Sequence, residues 1–185
     1  MDSLWGNIFK RQDQQDTYAL LKKVPLFEAM NRREMDAVER IMHRREYRAG
    51  EVIFRQGEPG VGMYVVQHGL VEIIYEPSAQ VLAELRDGDF FGEIALLNET
   101  PRSATATATT ACTLWGLFQP DLLDLLERDP RLGVKLLLPL AQIAGQRLIR
   151  ADAQMQVLRD ALAEHETQKK IRSEVHDGAK NPFVD

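Results

Sequence analysis

Apolar residues fall at helical spacing toward both ends of this chain and at strand spacing through its middle. Residues 2–46 read as helical. Leu4, Trp5, Ile8 and Phe9 form an i, i+1, i+4, i+5 stripe, which suits a helix folded onto its own domain. An anchor for a membrane surface or a partner is the alternative. Thr17 to Lys23 is a short candidate helix stopped by Pro25. Asn31 is a good N-cap for a second helix over 32–43, with Met35, Val38, Ile41 and Met42 on its apolar side.

From Arg48 the texture changes. Short apolar runs across 51–119 are separated by Ala49-Gly50, Gly57-Glu58-Pro59-Gly60, His68-Gly69, Glu76-Pro77-Ser78 and Asp87-Gly88-Asp89. Turn signals at that interval predict a sandwich or barrel of roughly seven or eight strands. Ser103 to Thr113, rich in threonine, also reads as strand.

Helical spacing returns after Gln119. Pro120-Asp121 opens one helix, with Leu122, Leu123, Leu125 and Leu126 as its apolar face, and Asp129-Pro130 breaks it. The chain then runs past 165 interrupted by Pro139 and Gly145. Leu137, Ala141, Ala144, Leu148, Ala151, Met155, Leu158 and Leu162 are spaced alternately four and three apart, a heptad seam. A helix of about 35 residues, on the order of 50 Å at the α-helical rise, is too long for a small barrel to cover. The seam therefore predicts self-association. Pro139 should kink this helix or mark its true start. Four segments result: an N-terminal helical segment (1–46), a β-barrel (47–119), a hinge helix with a long dimerisation helix (120–166), and a flexible tail (167–185). The fold class is mainly β with flanking helices.

Composition narrows the function classes. Of 185 residues, 44% are hydrophobic and 28% charged, enough for a packed core. No apolar run reads as a transmembrane segment, and residues 1–15 do not resemble a secretory signal. The single cysteine, Cys112, forms no internal disulfide and reads as a small buried strand residue, consistent with a cytoplasmic location. The 23 basic and 28 acidic residues give a net charge of −5, which disfavours nucleic acid as a partner.

The informative chemistry lies between Gly88 and Thr105. Gly92 lets backbone approach a ligand closely. A short helical run begins at Glu93, and its first N–H groups suit an anion. Arg102 offers a planar fork for two phosphate oxygens, with the Ser103 hydroxyl beside it. Glu93, an acceptor, suits a sugar hydroxyl. A phosphate beside a sugar hydroxyl is a nucleotide. One arginine, with neither a metal-binding cluster nor a Gly-Lys-Ser/Thr loop, suits a small phosphate charge. No metal site or cofactor is expected.

Phe91-Gly92-Glu93-Ile94-Ala95-Leu96 and Pro101-Arg102-Ser103-Ala104-Thr105 resemble, without mismatch, the phosphate-binding cassette of cyclic nucleotide-binding domains. That family includes bacterial catabolite activators, kinase regulatory subunits and nucleotide-gated channels. The resemblance runs from about Leu20 to Leu158 and takes in Pro25-Leu26-Phe27, Gly50 to Phe54, Gln56-Gly57-Glu58 and Gly69. It implies a cyclic nucleotide-binding jelly-roll β-barrel followed by a long C-terminal helix. It implies that Arg102, Ser103 and Ala104 hold the cyclic phosphate and that Gly92 and Glu93 take the ribose 2′-hydroxyl. Phe91, Ile94 and Ala95 complete the cassette; Ile73, Leu82 and Ala83 match pocket-wall positions. Arg150, Ala151 and Asp152 fall where the long helix would pass the base. Ser103 beside the arginine fits cyclic AMP, with cyclic GMP as the alternative ligand.

The expected function is a cyclic nucleotide sensor, not an enzyme, that signals to an unidentified protein partner through movement of its C-terminal helix. A homodimer is expected. The alternative is a dimeric interaction module of the same fold with little ligand affinity. Fewer than 30 residues follow Leu158, so the DNA-reading domain of the activators is not expected. The four histidines are scattered, which argues against metal-dependent hydrolysis.

Overall fold

The computed structural model describes residues 17–178, with side chains through residue 165. The stripe of Leu4, Trp5, Ile8 and Phe9 lies outside the described residues. Residues 17–21 are helical (α1), and Pro25, which lacks an N–H, opens a 3-10 turn over Pro25–Phe27. Helix α2 spans Arg32–Glu39. Its start is a capping box: Glu34 N donates to Asn31 Oδ1 at 3.1 Å, and Asn31 N donates to Glu34 Oε2 at 2.9 Å.

Strand β1, His43–Tyr47, overturns the boundary expected at 46/47 and the helix expected through His43. His43 to Glu46 is a polar run that offers a helix no apolar stripe. It instead pairs antiparallel with β8, His43 opposite Gly116 and Tyr47 opposite Cys112. Strands β2 (Val52–Phe54), β3 (Gly62–His68), β4 (Val71–Tyr75), β5 (Gln80–Leu85), β6 (Phe90–Phe91), β7 (Thr105–Ala108) and β8 (Cys112–Phe118) complete two four-stranded antiparallel sheets. Their orders are β1-β8-β3-β6 and β2-β7-β4-β5, the jelly roll that the resemblance implied. Ser103 to Thr113 forms one strand and the start of another, divided by a bend at 109–110.

The central strands are apolar on both faces. Met63, Val65 and Leu117 face a cluster built with the helices, which holds Leu21, Phe27, Met35 and Val38. Tyr64, Val66 and Leu114 face the barrel interior with Val71, Phe91, Ala106 and Cys112. Helix α3 is Ile94–Leu97 and α4 is Gln119–Arg128. In α4, Leu122 and Leu125 are buried and Leu126 is partly buried against the core. Leu123, expected on the same face, is exposed. A step of about 100° per residue turns it away from Leu122.

Helix α5 runs over Pro130–Gly178. Pro139 lies inside it and does not mark its start. The helix also continues beyond the boundary expected at 166. Gln168, Lys169, Lys170, Arg172 and Glu174 are good helix formers, so propensity carries the backbone on after the apolar stripe ends. The chain divides into compact units at residues 1–141 and 142–185. In the first, Leu132, Leu136 and Leu140 enter the core at i, i+4 spacing. The described part of the second, residues 142–178 taken by itself, is helical, with Leu148, Met155, Leu158 and Leu162 of the seam exposed. Contrary to expectation, α5 does contain a stretch long and apolar enough to cross a membrane: an 18-residue window between Pro130 and His165 has a mean hydropathy of 1.2. Leu132, Leu136 and Leu140, which add to the apolar character of this part of the helix, are core residues.

Lys135 of α5 donates from Nζ to Glu34 Oε1 at 2.7 Å, joining that helix to the α2 cap. This bond, then the one from Asn31 N, holds the Glu34 pKa below its ordinary value. A lowered carboxylate pKa stabilises the fold above the unfolded value, and that contribution disappears as pH falls through the folded one. Glu34→Gln should therefore melt below wild type at about pH 7 and together with it near pH 2. Scanning calorimetry at the two pH values checks this; equal melting at pH 7 would contradict it.

Candidate functional site

The cassette begins where β6 ends. Gly92 takes φ of 76°, a left-handed conformation that favours glycine, and reverses the chain. Glu93 follows in α-helical conformation as N-cap of α3. The turn after α3 brings Pro101 opposite Pro59 in an isolated bridge. Backbone bonds secure this junction: Arg102 N donates to Glu58 O at 2.8 Å, Gly57 N to Arg102 O at 2.9 Å and Gly60 N to Thr100 O at 3.2 Å. The loop at 57–60 thus fixes where the arginine starts.

Arg102 is only 7% exposed, and Glu93 2%. Arg102 Nη1 donates to Gly92 O at 3.2 Å. Its guanidinium carbon lies 4.0 Å from the centroid of the Phe54 ring. Its Nε is buried and has no hydrogen-bond partner among the described residues. Burial lowers the Arg102 pKa, opposed by Tyr64, Glu58 and Glu93. Phe54, Tyr64, Phe91 and Phe118 form a ring cluster beside it, with Tyr64 stacked on Phe91 at 5.6 Å and edge-on to Phe118 at 6.0 Å. Burial, and then the neighbouring Tyr64, raise the pKa of Tyr47.

A second set of bonds closes the far end of the cassette. Gln56 N donates to Thr105 Oγ1 at 2.8 Å, Thr105 Oγ1 donates to Glu76 Oε1 at 2.5 Å, and Glu76 N donates to Gln56 Oε1 at 3.0 Å. Three segments distant in sequence meet in this ring.

The structure brings Phe91, Gly92, Glu93, Ala95, Arg102 and Ala104 together and buries all of them but Gly92, which is half-buried. Ser103 is exposed beside Arg102, and Ile94, expected in the site, points outward on α3 at 52% exposure. Ile73 pairs with Ala83 across β4 and β5, while Leu82, left out of the pairing by the register shift, is exposed. Arg150, Ala151 and Asp152 lie on α5 in the second unit and are exposed there. Sequence reasoning did not single out Phe54, Gly60, Tyr64 or the Gln56–Thr105–Glu76 ring. The glycine at 60 was visible as a turn signal. An aromatic residue at a strand end looks like any core residue. Among the described residues, no group of three or more His, Cys, Asp or Glu side chains is placed to hold a metal.

Comparison with known proteins matches residues 44–129 to the family model of the cyclic nucleotide-binding domain. The cyclic AMP receptor protein of Thermus thermophilus is 35% identical over 141 residues, covering 75% of this chain and 63% of that protein. A cyclic nucleotide-gated potassium channel of Rhizobium etli is 34% identical, covering 71% of this chain and 38% of the channel. The crystal structure of Thermus thermophilus catabolite activator protein superposes with a TM-score of 0.66 at 36% identity, covering 72% of this chain and 62% of that one. The chain thus spans between 18% and 63% of the length of these and similar curated relatives.

A Cβ added at Gly92 would stand 2.5 Å from Arg102 Nη1, whereas one at Gly88, also at positive φ, would meet nothing within 4 Å. Both Gly88→Ala and Gly92→Ala should cost about 1–2 kcal/mol for backbone strain. Gly92→Ala alone should also displace the arginine. Urea denaturation of both variants, with NMR of the Arg102 side chain, checks this; an unmoved Arg102 signal in Gly92→Ala would contradict it.

Proposed function

We propose that this chain, whose residues 44–129 match the family model of the cyclic nucleotide-binding domain, is a cytoplasmic sensor of a cyclic nucleotide, cyclic AMP foremost. The observation that carries this reading is the buried Arg102, whose Nε has no partner among the described residues, in the same cassette as the buried Glu93. A buried unpaired donor is costly to leave unmade, and a phosphate oxygen satisfies it with a charge-assisted bond. In this reading Arg102 takes the cyclic phosphate, with Ser103 and the N–H groups of Ser103 and Ala104 beside it. Glu93 accepts from the ribose 2′-hydroxyl, and Gly92 contributes its backbone. Ile73, Leu82 and Ala83 wall the base. Ser103 and the likeness to a cyclic AMP receptor protein support cyclic AMP over cyclic GMP.

Calorimetric titration tests the reading. Wild type should bind cyclic AMP more tightly than cyclic GMP. Arg102→Ala should lose about 2–5 kcal/mol, because a desolvated phosphate loses its partner. Equal binding by wild type and Arg102→Ala would overturn the site.

The output in this reading is movement of α5, passed to a partner protein. A ligand moves such an element only through its difference in affinity for the two positions. The exposed seam also supports a second reading, a dimeric interaction module of the same fold, in which Arg102→Ala changes nothing. Both readings share a homodimer formed through about residues 137–162. Lysine at Leu148 and Leu158, each more than 60% exposed, would place charge on that seam. Sedimentation at tens of micromolar should give a dimer for wild type and a monomer for the double variant. A wild-type monomer would refute the dimer.

A further inference from the structure

Resting on the reading of Arg102 as the anion-binding residue, we propose that Phe54 is a positioning residue for the site. Its ring holds the guanidinium in place while leaving Nε unspent for an oxyanion.

Phe54 ends β2, 48 positions before Arg102 in the chain, and packs between the arginine and the barrel's aromatic cluster. Its ring lies 5.8 Å from that of Phe91 and 6.2 Å from that of Tyr64. A buried guanidinium ordinarily has a carboxylate on it. Arg102 forms no ion pair among the described residues. Glu58 and Glu93 act on it only through space. The face of an aromatic ring carries the negative lobe of its quadrupole and attracts a cation, yet offers no lone pair to an N–H. A phenylalanine under Arg102 therefore supports the charge without consuming its donors. A carboxylate at the same place would satisfy the donors and compete with every anion that arrived. Gly60 keeps a side chain away from Nε: a Cβ there would lie 3.4 Å from Nε, 2.9 Å from Thr100 O and 2.5 Å from the Ala95 Cβ.

Two measurements test this, and the first needs no ligand. In the free wild-type protein, the Arg102 side-chain proton resonances, assigned by their loss in Arg102→Lys, should show an upfield ring-current shift. They should move toward ordinary arginine positions in Phe54→Leu and stay close to wild type in Phe54→Tyr. Unshifted wild-type resonances, or shifted ones unmoved by Phe54→Leu, would overturn the contact whatever the ligand proves to be. The second is a double-mutant cycle read by calorimetry with cyclic AMP. Phe54→Leu should weaken binding about 10-fold when Arg102 is present and less than about 2-fold in the Arg102→Ala background. Phe54→Tyr should restore binding to within about 2-fold of wild type. Equal losses in both backgrounds would mean that Phe54 acts by packing alone and would overturn the proposal. Should wild type bind no cyclic AMP, the ligand assignment fails, and the resonance shifts still decide whether Phe54 holds Arg102.

Discussion

A guanidinium buried without a carboxylate is the constraint around which this end of the barrel is organised. Removing a charge from water is expensive, and an unpaired one survives only where the surroundings compensate. Here compensation is spread over several weak partners. Phe54 supplies a ring face, Gly92 a carbonyl, and Glu58 and Glu93 a field. Each requires backbone to come close, and that explains the glycines at 60 and 92, where side chains would collide with Arg102 or its neighbours. The ring Gln56–Thr105–Glu76 then fixes the strand leaving the cassette. The cluster of Phe54, Tyr64, Phe91 and Phe118 is the floor beneath this arrangement.

What was legible in the sequence is what contiguous residues decide. The turn signals between Gly50 and Gly88 located the strands, since four of those glycines take positive φ. The cassette was readable because Gly92, Glu93 and Arg102 lie within one short stretch. The partner of Arg102 was not, because Phe54 comes from another strand, and the two segments meet only in the fold, through the β2–β7 pairing and the backbone bonds of Arg102 to Gly57 and Glu58. The same limit hid β1. A run of His, Arg, Arg and Glu carries no apolar pattern, and its strand character comes from β8. Leu123 was misjudged for a different reason: four leucines in five positions exceed what one helical face holds.

Helix α5 serves two environments with one continuous backbone. Its first turns spend Leu132, Leu136 and Leu140 on the core beside α1, α2 and α4. The heptad seam starts at Leu137, partly buried against that core, and continues into the second unit, where its leucines are exposed. The apolar composition that gives the helix a membrane-like hydropathy is thus divided between the two. The cap at Glu34, joined to Lys135, ties the core-facing part to α2.

The two sheets expose four edge strands, and none is a good template for another chain. Strand β1 is His-Arg-Arg-Glu before Tyr47, with only the tyrosine even half-buried. Strands β6 and β2 are two and three residues long. Strand β5 is irregularly paired with β4. Charge, shortness and bulging are the means by which sheet edges resist intermolecular pairing and aggregation. Crowding many copies together would therefore not favour growth of the sheets from one molecule to the next.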